Sequence, residues 1–548
     1  MSRFVLFAAS AFVALPCCCL HGEQSSTEAL IKVDAGRVHR VRQMMQRLPK
    51  PKQSGVDLKW HMDRAMDYAT HVLDSSAYGR PLYANYVWGG PTRLEHSEWD
   101  VPHCVGRLLH TVNLWENSTD QRVENKKVIE QLRELLYQSI SPKDHFAHFP
   151  KYCRENEEVD WHSQREVLFG LMCLYDREND ARAKQLAQEL VAAYLEIVQQ
   201  PNFSPNPQIH GRMLDAVMEY NRLVEDTHGD ALAQILAEKF STWCEAQQKF
   251  PEPAHNHSIL GTIANVIEYG IETDQPQYVQ SGQRMIDGPS KSVCSSFGHV
   301  AEGSTHRGEA NCTGDIIRSL IMLGRNVDPS YLDEAEIAIR NHLLASQHLD
   351  ASLERMPNRG EEAMITDAAI RCVGGFGFTL PNDLIDANYP HLAVDLVEGG
   401  MHALADVYDN IVSVDDAGIH VHFLFSYHHP AVKIRCFIPV EGLIEIHTRE
   451  LLPISIRIPE SVQRDSLQLQ IDGQNQAIEI SDSYLRIPAQ AKSTMASIRF
   501  PLAKRRVTEK IYDKQFQQEW LGDTLRAMTP LGKNVPLYTP SRLKMYGR

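Results

Sequence analysis

The sequence predicts a mainly α protein with a β module: an (α/α)6 toroid followed by a C-terminal antiparallel β-sandwich. Three observations predict it. Apolar residues recur at helical spacing from residue 57 to about residue 411. The helical segments come in pairs that start roughly fifty residues apart, the spacing of a stacked helix–turn–helix unit. After Asn410 the apolar period drops from near 3.6 to 2. At 548 residues the chain exceeds one ordinary compact core, so a large body plus a module is the economical solution.

Residues 1–22 have the layout of an export signal. Arg3 makes the start positive, residues 4–15 are apolar, and Cys17, Cys18 and Cys19 supply small residues near a cleavage point. The mature protein is therefore expected to be secreted or periplasmic. A lipid anchor on one of the cysteines is the alternative, although Pro16 and the triple cysteine make a poor lipidation motif. Residues 23–56 form a linker or N-terminal arm.

Residues 57–411 carry the toroid. Trp60, Met66, Ala69, Val72 and Leu73 begin it, and Val128, Ile129, Leu132, Leu135 and Leu136 continue it at helical spacing. Paired segments follow: 167–175 with 183–197, 213–223 with 231–250, 259–269 with 278–286, and 316–323 with 331–344. Pro201-Asn202, Pro251-Glu252-Pro253 and Asp287-Gly288-Pro289 break the pattern between them. Residues 412–503 read as the sandwich, with strands over 418–427, 432–440, 443–448, 453–459, 467–471 and 497–500, and a turn at Asp472-Gly473. Residues 504–548 are basic and partly extended, a return segment in which Trp520-Leu521-Gly522-Asp523 and Pro536-Leu537-Tyr538 read as edge strands.

Composition narrows the function. Lys plus Arg is 55 against 70 for Asp plus Glu, a formal charge of −15, which repels phosphate backbones and argues against nucleic-acid binding. No apolar run after the first twenty residues is long enough to span a membrane. Of the 11 cysteines, eight lie beyond the signal, scattered and without a C-x-x-C pair, which is neither a disulfide scaffold nor a zinc-finger spacing. The most chemically loaded stretch, residues 293–315, reads VCSSFGHVAEGSTHRGEANCTGD. It gathers Glu302, Glu309, His299, His306, Cys294, Cys312 and Asp315 into one connection between helices. Two carboxylates beside histidines are material for general acid–base chemistry. A solvated loop whose Glu309 or Asp315 caps the next helix is the plainer account.

A series of short motifs runs in a suggestive order. His255-Asn256-His257-Ser258 opens a helix, and Ile267-Glu268-Tyr269-Gly270 follows. Phe297 to Glu302, Glu309 to Arg318, Arg340 to Gln347, Gly374-Gly375-Phe376, His402-Ala403-Leu404 and Tyr408 to Val412 come next. Over residues 60–540 this order resembles glycoside hydrolase family 127, the β-L-arabinofuranosidase-like group. The resemblance implies an (α/α)6 barrel with β-sandwich modules. It also implies a cysteine thiolate nucleophile on a zinc ion held by three cysteines and a glutamate, with a second glutamate as acid/base.

The chain departs from that pattern. Aligned through Asp315 and Arg318, Asn311 falls on the family's cysteine position, and Cys312 is one residue late. The family's Cys-Cys pair just before the segment matching 400–404 is missing, because the stretch reads Asp395-Leu396-Val397-Glu398-Gly399-Gly400. A one-residue shift at a helix start turns a side chain by about 100°, so Cys312 is expected to face away from Glu309's target. Zinc is therefore not expected, and no other cofactor is. The resemblance leaves two registers: Glu309 is the acid/base in one, and Glu302 in the other, with Glu309 at the metal-binding position; the downstream helix spacing favours the second, with Glu302 as acid/base and Glu309 as second carboxylate.

The candidate catalytic pair is thus Glu302 and Glu309. Candidate substrate-binding residues are His257, His299, His306, Trp99, His103, His162 and His210, polar groups recurring at helix starts, where simple capping would also account for each. The partner is a carbohydrate. The reading is a glycosidase of plant- or algal-type glycans, arabinofuranoside-like by resemblance. The alternatives are a non-catalytic sugar-binding relative that has lost the nucleophile, and a polysaccharide lyase.

Overall fold

The computed structural model describes residues 55–89, 92–152, 158–252, 254–303, 306–350, 367–449, 452–490 and 494–545. The expected export signal, and all of the linker except its last two residues, lie outside them.

Twelve helices of nine residues or more, among the described residues, alternate between two layers. They are α1 Leu58–His71, α2 Val105–Thr119, α3 Lys126–Ser139, α4 Gln164–Glu178, α5 Ala181–Val198 and α6 Met213–Leu223. Then come α7 Thr227–Ala246, α8 Asn256–Glu272, α9 Pro276–Asp287, α10 Ala310–Asn326, α11 Ser330–Ala338 and α12 Asp395–Asp409. Each even-numbered helix packs on the next even one, and α12 packs back on α2, so six helices close a ring. The odd-numbered helices pack outside it. Burial follows the layer. Inner α8 buries 14 of its 17 residues. Outer α3 buries the stripe Val128, Ile129, Leu132 and Leu136, the i, i+1, i+4, i+8 pattern of an amphipathic helix.

The helix starts differ between layers. In the outer layer Asp57, Asp180 and Asp226 accept backbone N–H bonds at the starts of α1, α5 and α7. None of the six inner helices is capped by the side chain of its own N-cap residue. Asn206 caps only the π-turn leading into α6. Capping by the N-cap side chain therefore does not account for the polar residues that recur at inner helix starts.

After Asp409 the chain is β-rich. A six-stranded sheet is ordered Tyr427–His428, Val432–Cys436, Leu443–Thr448, Thr494–Arg499, Gln468–Ile471, Gln474–Gln476. A five-stranded sheet is ordered Ile480–Ser481, Tyr484–Ile487, Ile454–Arg457, Gly418–Val421, Val412–Asp415. The expectation of a purely antiparallel arrangement needs correction: Ile454–Arg457 runs parallel to Gly418–Val421, with Ile454 opposite Ile419. Residues 504–529 form a separate antiparallel meander, Lys504–Ile511, Lys514–Leu521 and Thr524–Thr529. It returns to the helical body. Glu509 accepts from Ser296 N and Oγ at 2.8 and 2.6 Å, and Leu525 N donates to Asn341 Oδ1 at 2.7 Å. Among the described residues no helix is long and apolar enough to cross a membrane, and the described cysteines are free thiols.

Candidate active site

The starts of the inner helices meet at one end of the ring. Glu302 and Glu309 reach it from a two-residue hairpin in which Ala301 pairs with Gly308 and Glu302 with Arg307. Side chains alternate along a strand. Glu302, Arg307 and Glu309 therefore share one face. One donor atom from each of Glu302, Glu309 and Cys312 lies within 4.8 Å of the others.

The two carboxylates are not equivalent. Glu302 Oε1 and Oε2 accept from the backbone N–H groups of Asn256 and His257 at 3.1 and 2.9 Å, and Cys312 Sγ donates to Oε2 at 3.1 Å. The first turn of α8 presents its unsatisfied N–H groups to this carboxylate, an arrangement that suits an anion. Glu309 is bonded to Arg307 at 3.2 Å. Burial, reinforced by neighbouring Glu302, pushes its carboxyl well above the usual carboxylate range. The pair is deeply set, with Glu302 3% and Glu309 5% exposed.

A row of rings leads to the pair. Trp99 lies edge-on to His103 and His162 at 5.6 and 5.7 Å between centroids, and His103 stacks on His162 at 5.3 Å. His162 then meets His255 at 5.4 Å, and His255 meets His257 at 5.7 Å. Burial lowers the proton affinity of these imidazoles, His103 to about 3 and His255 to about 4, so they are neutral near pH 7. The tautomer of His257 follows from its neighbours. Arg107 can only donate, and its Nη2 lies 3.0 Å from His257 Nε2, so Nδ1 carries the proton and donates to Asp315 Oδ2 at 2.6 Å.

Not every sequence-selected residue joins this row. Gly308 faces the opposite side of the hairpin, where a Cβ would lie 2.7 Å from His299 Nε2. His299 is therefore behind the carboxylates. Its Nδ1 lies 3.2 Å from the Tyr512 hydroxyl, and its ring is 4.9 Å from His342. His306 stacks on Tyr512 at 4.2 Å. Alternation along the strand thus divides His299, a candidate substrate-binding residue, from Glu302 and Glu309. His210 is apart as well, edge-on to Phe203 and Tyr194 and accepting from Asn206 N at 3.2 Å.

The ring axis holds groups that sequence reading placed only at helix starts or left unassigned. Arg107 donates to Glu398 Oε2 at 3.0 Å, the Asp395 carbonyl at 2.7 Å, Asn311 Oδ1 at 3.3 Å and Glu166 Oε1 at 3.3 Å. Arg165 forks onto Asp215 at 2.8 and 3.0 Å, and Arg212 pairs with Glu166. Among the described residues Glu166 Oε2 and Arg212 Nη1 are buried without a partner. The available signal was the recurrence of charge on inner-helix starts. Tyr512, on the turn between two late strands, carried no signal at all.

The donor set does not fit the family's zinc. Cys312 is not turned away, as the helix-rotation argument expected. The hairpin folds back over the start of α10 and brings Glu302 to the thiol. Burial and the two glutamates nevertheless push that thiol well above its ordinary value, so it stays protonated. Asn311, at the family's cysteine position, is held by Arg107. Gly399 stands in the stretch of the missing pair, and a Cβ there would lie 2.2 Å from Asn311 Oδ1. Of the family's three cysteines and a glutamate, only one cysteine stands here, beside two glutamates.

The fold is that of glycosidases of family 127. The chain is similar to the GH127 β-L-arabinofuranosidase Ara127N of Geobacillus stearothermophilus T6, with TM-score 0.57 and 11% identity over 85% of this chain and 84% of that one. It is likewise similar to the GH127 β-arabinofuranosidase BT3674, with TM-score 0.59 and 13% identity over 85% and 78%. A third structure described as a glycoside hydrolase gives TM-score 0.56 and 10% identity over 83% and 85%. At these identities the likeness is one of fold. No family model and no curated protein sequence matches the chain.

Proposed function

We propose that this chain is an exported carbohydrate-active protein of the glycosidase kind. It acts on plant- or algal-type glycans, arabinofuranoside-like by resemblance, through two carboxylates and without zinc. In this reading the closed ring is an (α/α)6 toroid and the two large sheets form a β-sandwich. The observation that carries the reading is the convergence of Glu302 and Glu309 on one hairpin face, in different hydrogen-bond surroundings.

Glu309, held protonated, donates its proton to the departing glycosidic oxygen. Glu302, bonded to the backbone N–H groups that open α8, faces the developing positive charge on the sugar. Oxygens within 4.8 Å stand nearer the roughly 5–5.5 Å of retaining pairs than the roughly 6.5–9.5 Å of inverting ones. The raised proton affinity of Glu309 supports the register in which it is the acid/base, against the downstream helix spacing, which favours the other. The neutral imidazoles of His103 and His162 offer ring nitrogens to sugar hydroxyls, and His257, bonded at both nitrogens, holds Arg107 and Asp315 in place. Glu166 Oε2 and Arg212 Nη1 supply one further acceptor and one donor.

A second reading, a sugar-binding relative without turnover, is favoured by one observation. The position of the family nucleophile is filled by Asn311, locked to Arg107. Assays on a panel of aryl glycosides that includes arabinofuranosides decide between them. The expected result is turnover indifferent to chelators. It should fall about 10²–10⁴-fold in Glu302→Gln and Glu309→Gln while sugar affinity persists. Sugar binding without turnover in the parent protein moves the assignment to the second reading, and neither binding nor turnover ends both.

A further inference from the structure

We infer that the outer face of the six-stranded sheet is a docking groove for an anionic glycan, a chain bearing uronate carboxylates or sulfate esters. The inference rests on the carbohydrate reading above but concerns a surface outside the ring.

A trough of about 620 Å³ crosses this face, lined by His428, His429, Lys433, Arg435, His447 and Arg449 together with small and apolar residues, and by no carboxylate among the described residues. The strand pattern creates it. Val432, Ile434 and Cys436 point into the core, so Lys433 and Arg435 point out. The register then sets Lys433 between two imidazoles. His428 is directly opposite Lys433, and Lys433 directly opposite His447. One row of basic side chains therefore crosses three strands at about 4.8 Å intervals. Arg435 is paired with Glu445 at 2.9 Å. Lys433 and Arg449, both exposed, have no carboxylate partner among the described residues.

On a chain with a formal charge of −15, a basic trough whose nearest carboxylate, Glu445, is bound to Arg435 is a local reversal of sign. Such a reversal concentrates an anion at one place while the rest of the surface repels it. That balance disfavours a nucleic acid, whose unbroken phosphate array would run on across acidic surface. A glycan with spaced anionic groups needs only the trough.

The test uses the whole protein and measures binding to polygalacturonate, dextran sulfate and neutral dextran, with a DNA duplex and phosphatidylserine vesicles as further probes. The expected result is binding of one or both anionic glycans and not of dextran, weakening as salt rises from about 50 to about 300 mM. Preference for polygalacturonate assigns carboxylates, and preference for dextran sulfate assigns sulfates. The Lys433→Glu/Arg449→Glu double variant should bind at least about tenfold more weakly, with unchanged melting temperature and unchanged turnover of small aryl glycosides. Equal binding of dextran, undiminished affinity in the double variant, or tighter binding of DNA or vesicles overturns the proposal. Glycan binding without any hydrolysis leaves the groove standing and removes only the glycosidase reading. Hydrolysis without anionic-glycan binding does the reverse.

Discussion

Glu302 and Glu309 are chemically the same residue type seven positions apart, and their surroundings separate them. One receives two backbone N–H groups and a thiol; the other is buried beside a like charge with one guanidinium for company. The second arrangement has a measurable consequence. A carboxyl with a raised folded-state pKa holds a proton that the unfolded chain releases, so folding loses stability as pH climbs above the ordinary carboxylate range. A tenfold tighter hold on that proton in the folded state corresponds to about 1.4 kcal/mol. Glu309→Gln is therefore expected to be more stable than the parent by roughly 1 kcal/mol or more at pH 7, with the gain vanishing below about pH 4. Denaturant unfolding at both pH values checks it, and a difference independent of pH would contradict the assignment.

At the scale of elements, the inner ring is pulled tight where α10 and α12 touch. A Cβ at Gly399 would lie 2.2 Å from Asn311 Oδ1 and 2.7 Å from Asn311 Cα, and one at Gly314 would lie 2.8 Å from the Gly399 carbonyl. This approach leaves no room for a side chain at position 399. Gly399→Ala should cost about 1–3 kcal/mol by overpacking. Adding Asn311→Ala should recover only part of that loss, because the α-carbon contact remains. Full recovery in a double-mutant cycle would show that the Asn311 amide alone sets the helix separation. The helices themselves were legible as amphipathic stripes such as Val128, Ile129, Leu132 and Leu136. The tightness of the ring was not, since a glycine in a helical pattern reads the same whether it faces solvent or a neighbouring helix.

At the scale of the molecule, the helical body and the β-rich region are riveted by buried charge. Arg457 of the five-stranded sheet pairs with Asp333 and Glu336 of α11, and Arg340 pairs with Glu336 at 2.6 Å. Burial alone would raise Glu336, but Arg340 and Arg457 outweigh it and hold its carboxyl below the usual range. Removing Arg457 leaves that carboxylate undercompensated. Arg457→Met should cost about 3–5 kcal/mol near neutrality. The cost should shrink as pH falls through the folded pKa of Glu336, where the carboxylate and its stabilising contribution are lost. Calorimetry of the parent should show body and β-rich region melting together, and two separate transitions would refute the coupling.

The sequence by itself determined the layers. Period 3.6 before Asn410 and period 2 after it dictate helices and then strands, because each element must bury one stripe or one face. It also singled out Glu302 and Glu309, since acidic residues clustered in one connection are visible without coordinates. Which groups meet depends on how the elements pack. The hairpin's alternation put the carboxylates on one face and His299 on the other. Ring closure brought Arg107, Glu166 and Glu398, far apart in the chain, onto a common axis. The fold of the hairpin over α10 returned Cys312 to Glu302 against the expectation from helix rotation. Periodicity is a local property, dictated by the burial of each segment. Side-chain convergence depends on how segments distant in sequence are placed, and that is settled only when the ring closes.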